Sequence, residues 1–268
     1  MGESTKSDLI ERDCRDHVQT LRINRPDKKN ALTSDMYAAM ANGLREGDAD
    51  PEVAVHLLAG TGGIFTAGND LGDFLRMADS GDFDPTVFGF MKALVTSKKP
   101  IVAAVDGLAV GIGTTMLLHC DLVYASESAE FRTPFLSLGI VPEAASSLLA
   151  PARMGFAPAF ELLCAGEPFS AERALRAGLV NAVVPVGELE GRARNAALGL
   201  AAKPVEAMAS ARKLMRGDPS AILQRIDEEI ELFKVHMRSP EAREAFAAFK
   251  EKRPPDFARA RREAEAAE

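Results

Sequence analysis

The stretch that most constrains the fold is Ala104-Val105-Asp106-Gly107-Leu108-Ala109-Val110-Gly111-Ile112-Gly113-Thr114-Thr115-Met116-Leu117-Leu118, entered through Ile101 to Val105. A short apolar run, a turn punctuated by glycines and a second apolar run predict a buried strand, a tight turn and the opening of a helix. Backbone N–H groups at a helix start have no partner within the helix and can stabilise an anion, so chemistry is expected here. The apolar run is long enough to raise the question of a membrane span. Asp106 and three glycines interrupt it, and His119 and Asp121 follow it, so a buried core segment is the expectation.

The 268 residues can bury a large core, as one domain or as a domain with a smaller appendage. A net charge of −7 and a pI near 5.3 argue against a nucleic-acid surface. The basic group Lys250, Lys252 and Arg253 is balanced by Glu241, Glu244 and Glu251. Cys14, Cys120 and Cys164 are odd in number, far apart and without CxxC spacing, which suggests neither a disulfide framework nor a zinc site. Met1 to Ser7 is polar and has no apolar signal region, and the chain ends without a peroxisomal tripeptide. The expected location is cytoplasmic.

In order along the chain, Leu9 to Cys14 and Val18 to Ile23 read as a strand hairpin. The polar loop Asn24 to Leu32 follows, and Thr33 or Ser34 caps a helix reaching to about Gly47. Val53 to Ala59 is the next strand, ending in Gly60-Thr61-Gly62-Gly63-Ile64-Phe65-Thr66-Ala67-Gly68-Asn69-Asp70-Leu71. Residues 72–86 are expected to be a mobile segment with one helical turn around Phe74 to Ala78. A helix then runs from about Thr86 to Ser97. Strands are expected at Ile101 to Val105, Leu122 to Ala125 and Glu130 to Arg132. Beyond Pro151 only Leu179 to Val184 reads as extended, while 155–165, 170–177, 187–202, 204–216, 219–237 and 239–251 carry helical spacing. The charged, Ala-rich end Arg259 to Glu268 is expected to fray. The pattern is an alternating β/α layer structure followed by a helical tail, which covers its own core or packs on neighbouring subunits.

Three motifs now agree. Asn24-Arg25-Pro26 with Asn30-Ala31-Leu32, then Gly60 to Leu71, then Asp106-Gly107-Leu108-Ala109-Val110-Gly111 resemble the crotonase (enoyl-CoA hydratase/isomerase) superfamily in order and spacing, over roughly residues 8–257. The resemblance implies an α/β fold, a spiral of ββα units with a C-terminal helical trimerisation region. Residues 1–200 would form the acyl-CoA-binding core and 201–268 the helical region. It implies an acyl-CoA thioester substrate, a homotrimer or dimer of trimers, no metal, and no cofactor beyond the CoA moiety of the substrate. Nucleic acid and membrane are not expected partners. By position, the backbone N–H groups of Asn69 and Ile112 would receive the thioester oxygen, which turns negative when a proton leaves the neighbouring carbon. The CoA end would run along Arg25, Lys28 and Ala31 and along Ala67, Gly68, Asp70 and Leu71, with Gly111 in the turn. Cationic Arg25 or Lys28 would meet phosphates, or would be ordinary solvated loop charges. Lys252 and Phe257 resemble positions that approach the nucleotide of a neighbouring subunit's ligand.

At the two positions where a family hydratase carries its glutamates, this chain has Thr115 and Phe135, and neither works as an acid or base near neutral pH. A carboxylate occurs nearby at Glu143, after Pro142. The passage Thr133-Pro134-Phe135 through Pro142-Glu143 with Ser146-Ser147, together with Val110-Gly111-Ile112, resembles the peroxisomal-type Δ3,Δ2-enoyl-CoA isomerases, in which this glutamate is the base. A 1,3-proton shift needs only one carboxylate. The structural alternative puts Glu143 in the first turn of an Ala/Ser/Leu helix, where the dipole favours a negative charge and would lower its pKa. A lining of Phe135, Ile140 and Val141 would raise it. As a base, Glu143 is expected in a largely apolar setting and directed at the two oxyanion amides.

Thr115 lies one turn after Ile112 and faces the same cavity or bonds back to a carbonyl. His119 reads better as a satisfied core residue than as a base, Asp70 as a helix N-cap, and Asp121 as a partner of backbone groups at a strand start. No GxSxG, dinucleotide-binding glycine pattern or P-loop occurs. A hydratase or other crotonase-family reaction, such as thioester hydrolysis or decarboxylation, is the alternative activity. A non-catalytic acyl-CoA-binding paralogue is the alternative of another class.

Overall fold

The computed structural model describes residues 9–80 and 84–266; the expectations for Met1 to Ser7 and for residues 81–83 lie outside the described residues. The hairpin forms as expected, β1 (Ile10–Arg15) pairing antiparallel with β2 (Val18–Ile23). Because β1 is an edge strand, its run Glu11 to Arg15 is exposed and mostly charged, which discourages pairing with another chain. From β2 the sheet continues in parallel through β3 (Val55–Gly60), β4 (Ile101–Val105), β6 (Leu122–Ser126) and β9 (Ala182–Val184). A smaller sheet joins β5 (Leu108–Val110), β7 (Glu130–Arg132) and β8 (Phe169–Ser170). Glycine at 107 lets the chain step from the first sheet to the second. It sits at φ +55°, and a Cβ there would lie 2.2 Å from the carbonyl oxygen of Gly63.

Helices cover both faces of the large sheet, so its central strands are buried throughout, as parallel strands generally are. Alternate residues divide between two cores. Leu58, Ala103 and Val105 face α1 (Ser34–Ala49) and α3 (Pro85–Thr96) through Met36, Met40, Phe90 and Leu94. Leu57, Ala59, Val102 and Ala104 face α8 (Leu189–Ala201) through Leu189, Ala193 and Ala197. Thr33 caps α1 by accepting from the Met36 N–H at 3.4 Å, and Asp84 caps α3 with Pro85 at its first position.

Two stretches differ from the sequence expectations. Leu71–Ser80 is a complete helix, α2, rather than one turn. Its Phe74 packs edge-on against Phe233 and Phe246, and that apolar anchor outweighs the polar composition around it. The chain end also forms a helix, α12 (Phe257–Glu265), capped by Asp256 accepting from the Arg259 N–H at 2.9 Å. Before it come α9 (Val205–Arg216), α10 (Ser220–Met237) and α11 (Pro240–Glu251). Ile226, Ile230, Phe233 and Met237 of α10 join the same apolar core as α1 and α3.

Candidate functional site

Two loops are locked together around Asn30. Its backbone is left-handed (φ +56°), and its side chain is fully buried. Its Oδ1 accepts from the Arg25 N–H at 2.8 Å, while Nδ2 donates to the carbonyls of Thr61 (2.9 Å) and Ile64 (2.6 Å). The Thr66 hydroxyl donates to the Asn30 carbonyl at 2.6 Å, and the Ala67 N–H to that of Lys29 at 2.9 Å. The loop of Arg25, Lys28 and Ala31 and the loop of Ala67, Gly68 and Asn69 therefore form one rigid unit. Arg25 is committed within it: Nη1 pairs with Asp70 at 2.7 Å and donates to the Ala31 carbonyl at 3.0 Å. Asp70 also caps α2, accepting from the Gly72 and Asp73 N–H groups; burial raises its carboxyl, but Arg25 and these donors together outweigh it and hold it below the usual carboxylate range. Lys28 is exposed and has no ion pair among the described residues. Leu71 opens α2, and its side chain lies outside the described residues.

Beside this unit run Leu108 to Gly111. Thr66 bridges Ala109 in parallel, its N–H donating to Leu108 and its carbonyl accepting from Val110. Gly68 lies against the Val110 carbonyl so closely that a Cβ would be 2.7 Å from its oxygen. Leu32 bonds to Gly68 and Asp70 on either side of Asn69, which turns the Asn69 N–H away from Leu32. The next turn, at Gly111 (φ +56°), starts the single-turn helix α4 (Ile112–Thr115), continued by a 3-10 turn at Met116–His119. As first residue of α4, Ile112 has an N–H with no partner inside the helix. Among the described residues, neither the Asn69 nor the Ile112 N–H has a protein acceptor. The Asn69 side chain accepts from the Tyr37 hydroxyl at 2.5 Å.

The expected acid/base residue is buried. Glu143 Oε1 accepts from the Thr115 hydroxyl at 2.5 Å, whereas Oε2 is buried with no hydrogen-bond partner. Burial dominates its acidity, the Thr115 bond opposes, the charge of Glu229 adds, and the net effect raises the carboxyl to about 8. Tyr37 is raised well above its usual value, by burial and then by Glu143. Phe135 and Ile140 are buried, and Val141 and Pro142 are half-buried. Of the two opposed influences on Glu143, the apolar lining prevails.

The dipole argument fails because Glu143 is not in a helix. Ala144 and Ala145 both adopt left-handed backbone (φ +57° and +54°), and α5 begins only at Ser146 (Ser146–Met154). Two alanines in that region cost roughly 1–2 kcal/mol each, so the surroundings must hold them. His119 Nε2 bonds to the Ala144 carbonyl at 2.7 Å. Burial lowers the His119 pKa to about 4, so the ring is neutral and Nε2 carries the proton. On the other side, Glu229 of α10 accepts from the Ala145 N–H at 2.6 Å, the Ser147 N–H at 3.1 Å and the Ser147 hydroxyl at 2.5 Å. Hydrogen bonds contribute about 0.5–1.5 kcal/mol each, so these three together with that of His119 offset the strain.

Thr115 thus bonds to Glu143, with a longer 3.4 Å contact to the Gly111 carbonyl. His119 is a satisfied core residue. Asp121 accepts from the Ile101 N–H at the start of β4, as expected, and also pairs with Arg212 and Arg216. Lys252 ends α11 in left-handed backbone, and Phe257 begins α12 five residues later, half-buried. Sequence reasoning missed Glu229. Its signal was an acidic residue inside the apolar stripe Ile226, Ile230, Phe233, Met237. Among the described residues no group of three or more His, Cys, Asp or Glu could hold a metal ion.

Comparison with known proteins identifies the family of this fold. The family model described as "Enoyl-CoA hydratase/isomerase" matches residues 13–260. A probable enoyl-CoA hydratase, echA8 of Mycobacterium leprae, is 32% identical over 253 residues, covering 94% of this chain and 98% of that protein. Enoyl-CoA delta isomerase 2 of Rattus norvegicus is 35% identical over 217 residues, 79% of this chain and 55% of that protein. The crystal structure of an enoyl-CoA hydratase/isomerase from Pseudoalteromonas atlantica T6c superposes with a TM-score of 0.89 at 41% identity, covering 93% and 99% of the two chains. With the ordered loops, the paired sheets and these matches over nearly its whole length, the chain belongs to the enoyl-CoA hydratase/isomerase family.

Proposed function

We propose that the protein converts 3-enoyl-CoA thioesters to 2-enoyl-CoA thioesters by a 1,3-proton shift at Glu143. The observation that carries this reading is the lone buried carboxylate oxygen, Glu143 Oε2, without a partner and beside the helix whose first N–H is free. Glu143 takes a proton from C2; the electron pair of that C–H bond forms the C1=C2 bond, and the π pair of the carbonyl moves to the thioester oxygen. The Asn69 and Ile112 amides hold the resulting negative charge. The dienolate then accepts the same proton at C4, leaving the double bond between C2 and C3 and the thioester restored. Hydration would need a second acid/base group. Position 115 is a threonine and position 135 a phenylalanine, while Glu229 has both oxygens occupied by donors.

The pH profile follows from the acidity of Glu143. A base must be deprotonated, and its proton leaves at about 8. In the free enzyme, kcat/KM for isomerisation is therefore expected to rise about tenfold per pH unit on the acid side and to level off above that value. A flat profile between pH 6 and 8 would remove Glu143 from the base role.

The deciding assay offers the wild-type protein 3-enoyl-CoA and 2-enoyl-CoA separately and resolves the products. Formation of 2-enoyl-CoA from the 3-isomer is expected. Hydration of the 2-isomer without isomerisation would favour the hydratase reading, which the names of several relatives suggest. Tight binding with no turnover would make the protein an acyl-CoA binder.

The helical tail supports a homotrimer or a dimer of trimers. Leu214 and Met215 at the end of α9 are 85% and 88% exposed, and such apolar side chains need a cover in water. Sedimentation at micromolar concentration is expected to give three or six copies, and Leu214→Glu with Met215→Glu to shift the protein toward monomer.

A further inference from the structure

We infer that Glu229, on the C-terminal helix α10, is the positioning residue that holds the catalytic carboxylate of Glu143 in its working geometry; the inference rests on the base role proposed for Glu143. The argument begins with hydrogen-bond chemistry. Among the described residues Glu229 is bonded to the Ala145 N–H, the Ser147 N–H and the Ser147 hydroxyl. A backbone N–H can only donate, so each Glu229 oxygen accepts from the turn, Oε2 from Ala145 and Oε1 from Ser147. Glu143 is the opposite case, with one hydroxyl donor on Oε1 and nothing on Oε2. Burial raises the pKa of both carboxyls: at Glu229 the bonds from Ser147 and Ala145 and the charge of Arg225 oppose it, while at Glu143 only the Thr115 bond does.

The location makes this a device for positioning rather than an ordinary helix cap. The amides that Glu229 holds belong to the turn that leaves Glu143, and the first of them, Ala145, is in the left-handed region that alanine avoids. His119 fixes the carbonyl of the other left-handed residue, Ala144, so the turn is gripped from both sides. Released, Ala144 and Ala145 would return to ordinary right-handed backbone, and Glu143 would swing from Thr115.

The charged and titratable groups around the pair are few. Facing Glu229 are Arg225 of its own helix, which also donates to the Ser147 hydroxyl at 3.2 Å, and Glu143. Facing Glu143 are Tyr37 from α1 and Glu229 from α10. His119 reaches the same turn with Arg153 and Arg216 behind it, and it remains neutral above about pH 4. The ionised form of Glu229 is the negative charge that raises the pKa of Glu143, and removing it lowers the pH at which Glu143 gives up its proton.

The test is Glu229→Gln in the full-length protein, read in two ways. The carboxylic C=O stretch of protonated Glu143, identified by its loss in Glu143→Gln, is titrated by infrared spectroscopy; its midpoint is expected to move to lower pH in Glu229→Gln. In isomerase turnover, the acid limb of kcat/KM should move the same way. The plateau kcat should fall roughly 10- to 100-fold while KM changes less than about threefold, a loss of orientation rather than of binding. Glu229→Asp keeps the charge on a shorter stem, so it should retain the wild-type midpoint and still lose plateau kcat. An unmoved midpoint together with a plateau kcat within twofold of wild type overturns the inference. Absence of isomerisation in the wild-type enzyme would overturn the proposed function alone, since the infrared titration still reports on Glu229. Should Glu229→Gln fail to fold, Ser147→Ala removes one donor and leaves the carboxylate in place: a reduced kcat at unchanged KM supports the inference, and a wild-type kcat overturns it.

Discussion

Glu143→Gln is expected to lower isomerisation by about 10²–10⁴-fold, the usual contribution of a positioned general base, while acyl-CoA affinity changes only a few-fold. Gln keeps the shape and can still accept from the Thr115 hydroxyl, so the substitution isolates proton transfer. Deuterium exchange at C2 of a bound thioester should disappear with it. The same variant carries a stability signature of opposite sign. Because the folded-state pKa of Glu143, about 8, lies above the ordinary carboxyl value of 4.5, the folded protein holds this proton more tightly than the unfolded chain. The stability linked to it is complete below pH 4.5 and is lost as the pH rises through 8. At pH 8–9 the wild type therefore carries a penalty of up to ~5 kcal/mol that the Gln variant lacks. Thermal melts at pH 5 and pH 9 should show the variant gaining on the wild type as pH increases. A Gln variant with wild-type turnover, or with the same pH dependence of melting, would contradict the role assigned to this side chain.

Gly68→Ala is expected to cost about 10²–10³-fold in kcat/KM, comparable to losing one oxyanion donor, although it touches no acid or base. Two physical obstacles meet at this residue. Its φ of +85° is a conformation that alanine adopts only with strain, and its new methyl would stand 2.7 Å from the Val110 carbonyl oxygen. The contact atom is backbone on both sides, so the segments leading to Asn69 and Ile112 must part. Their two N–H groups, which should converge on one oxygen, would no longer do so. Enolate-like ligands should lose more affinity than simple thioesters, because the hole matters most when the oxygen carries charge. Wild-type turnover in a folded Gly68→Ala protein would deny these amides their role.

The layered fold was legible because its signals are periodic. Apolar runs such as Ile101 to Val105 lie among helical stripes, and the glycine loops punctuate both. The family motifs added the order of the loops, and Glu143 was found from its neighbourhood. Its burial agrees with the apolar setting expected of a base, but the backbone after it differs from the helix start that local rules suggest. Left-handed backbone is signalled by glycine or asparagine, and Ala144-Ala145 offers neither, so Pro142-Glu143-Ala144-Ala145 reads as the start of a helix. The partner that overrides this reading, Glu229, stands 84 positions from Ala145, beyond the reach of any local pattern. Residues 72–80 differ from expectation for the reverse reason. Their composition is polar, but Phe74 finds Phe233 and Phe246 in the C-terminal helices, and that tertiary contact completes the helix. Arg25 reads from sequence as a phosphate partner or a loop charge; its pairing with Asp70 depends on a loop fold that spacing alone does not encode.

The separation between Glu229 and the turn it grips has a consequence for how the molecule comes into being. The large sheet through β6, with α1 and α3, is built from the first half of the chain, and its strands pair in chain order. The turn at Ala144-Ala145 closes only when a residue made 84 positions later arrives on α10. On a growing chain that turn therefore waits for α10 to be made and docked. The geometry around Glu143 is tied to the packing of a helix far along the chain, and it is lost when α10 lifts away.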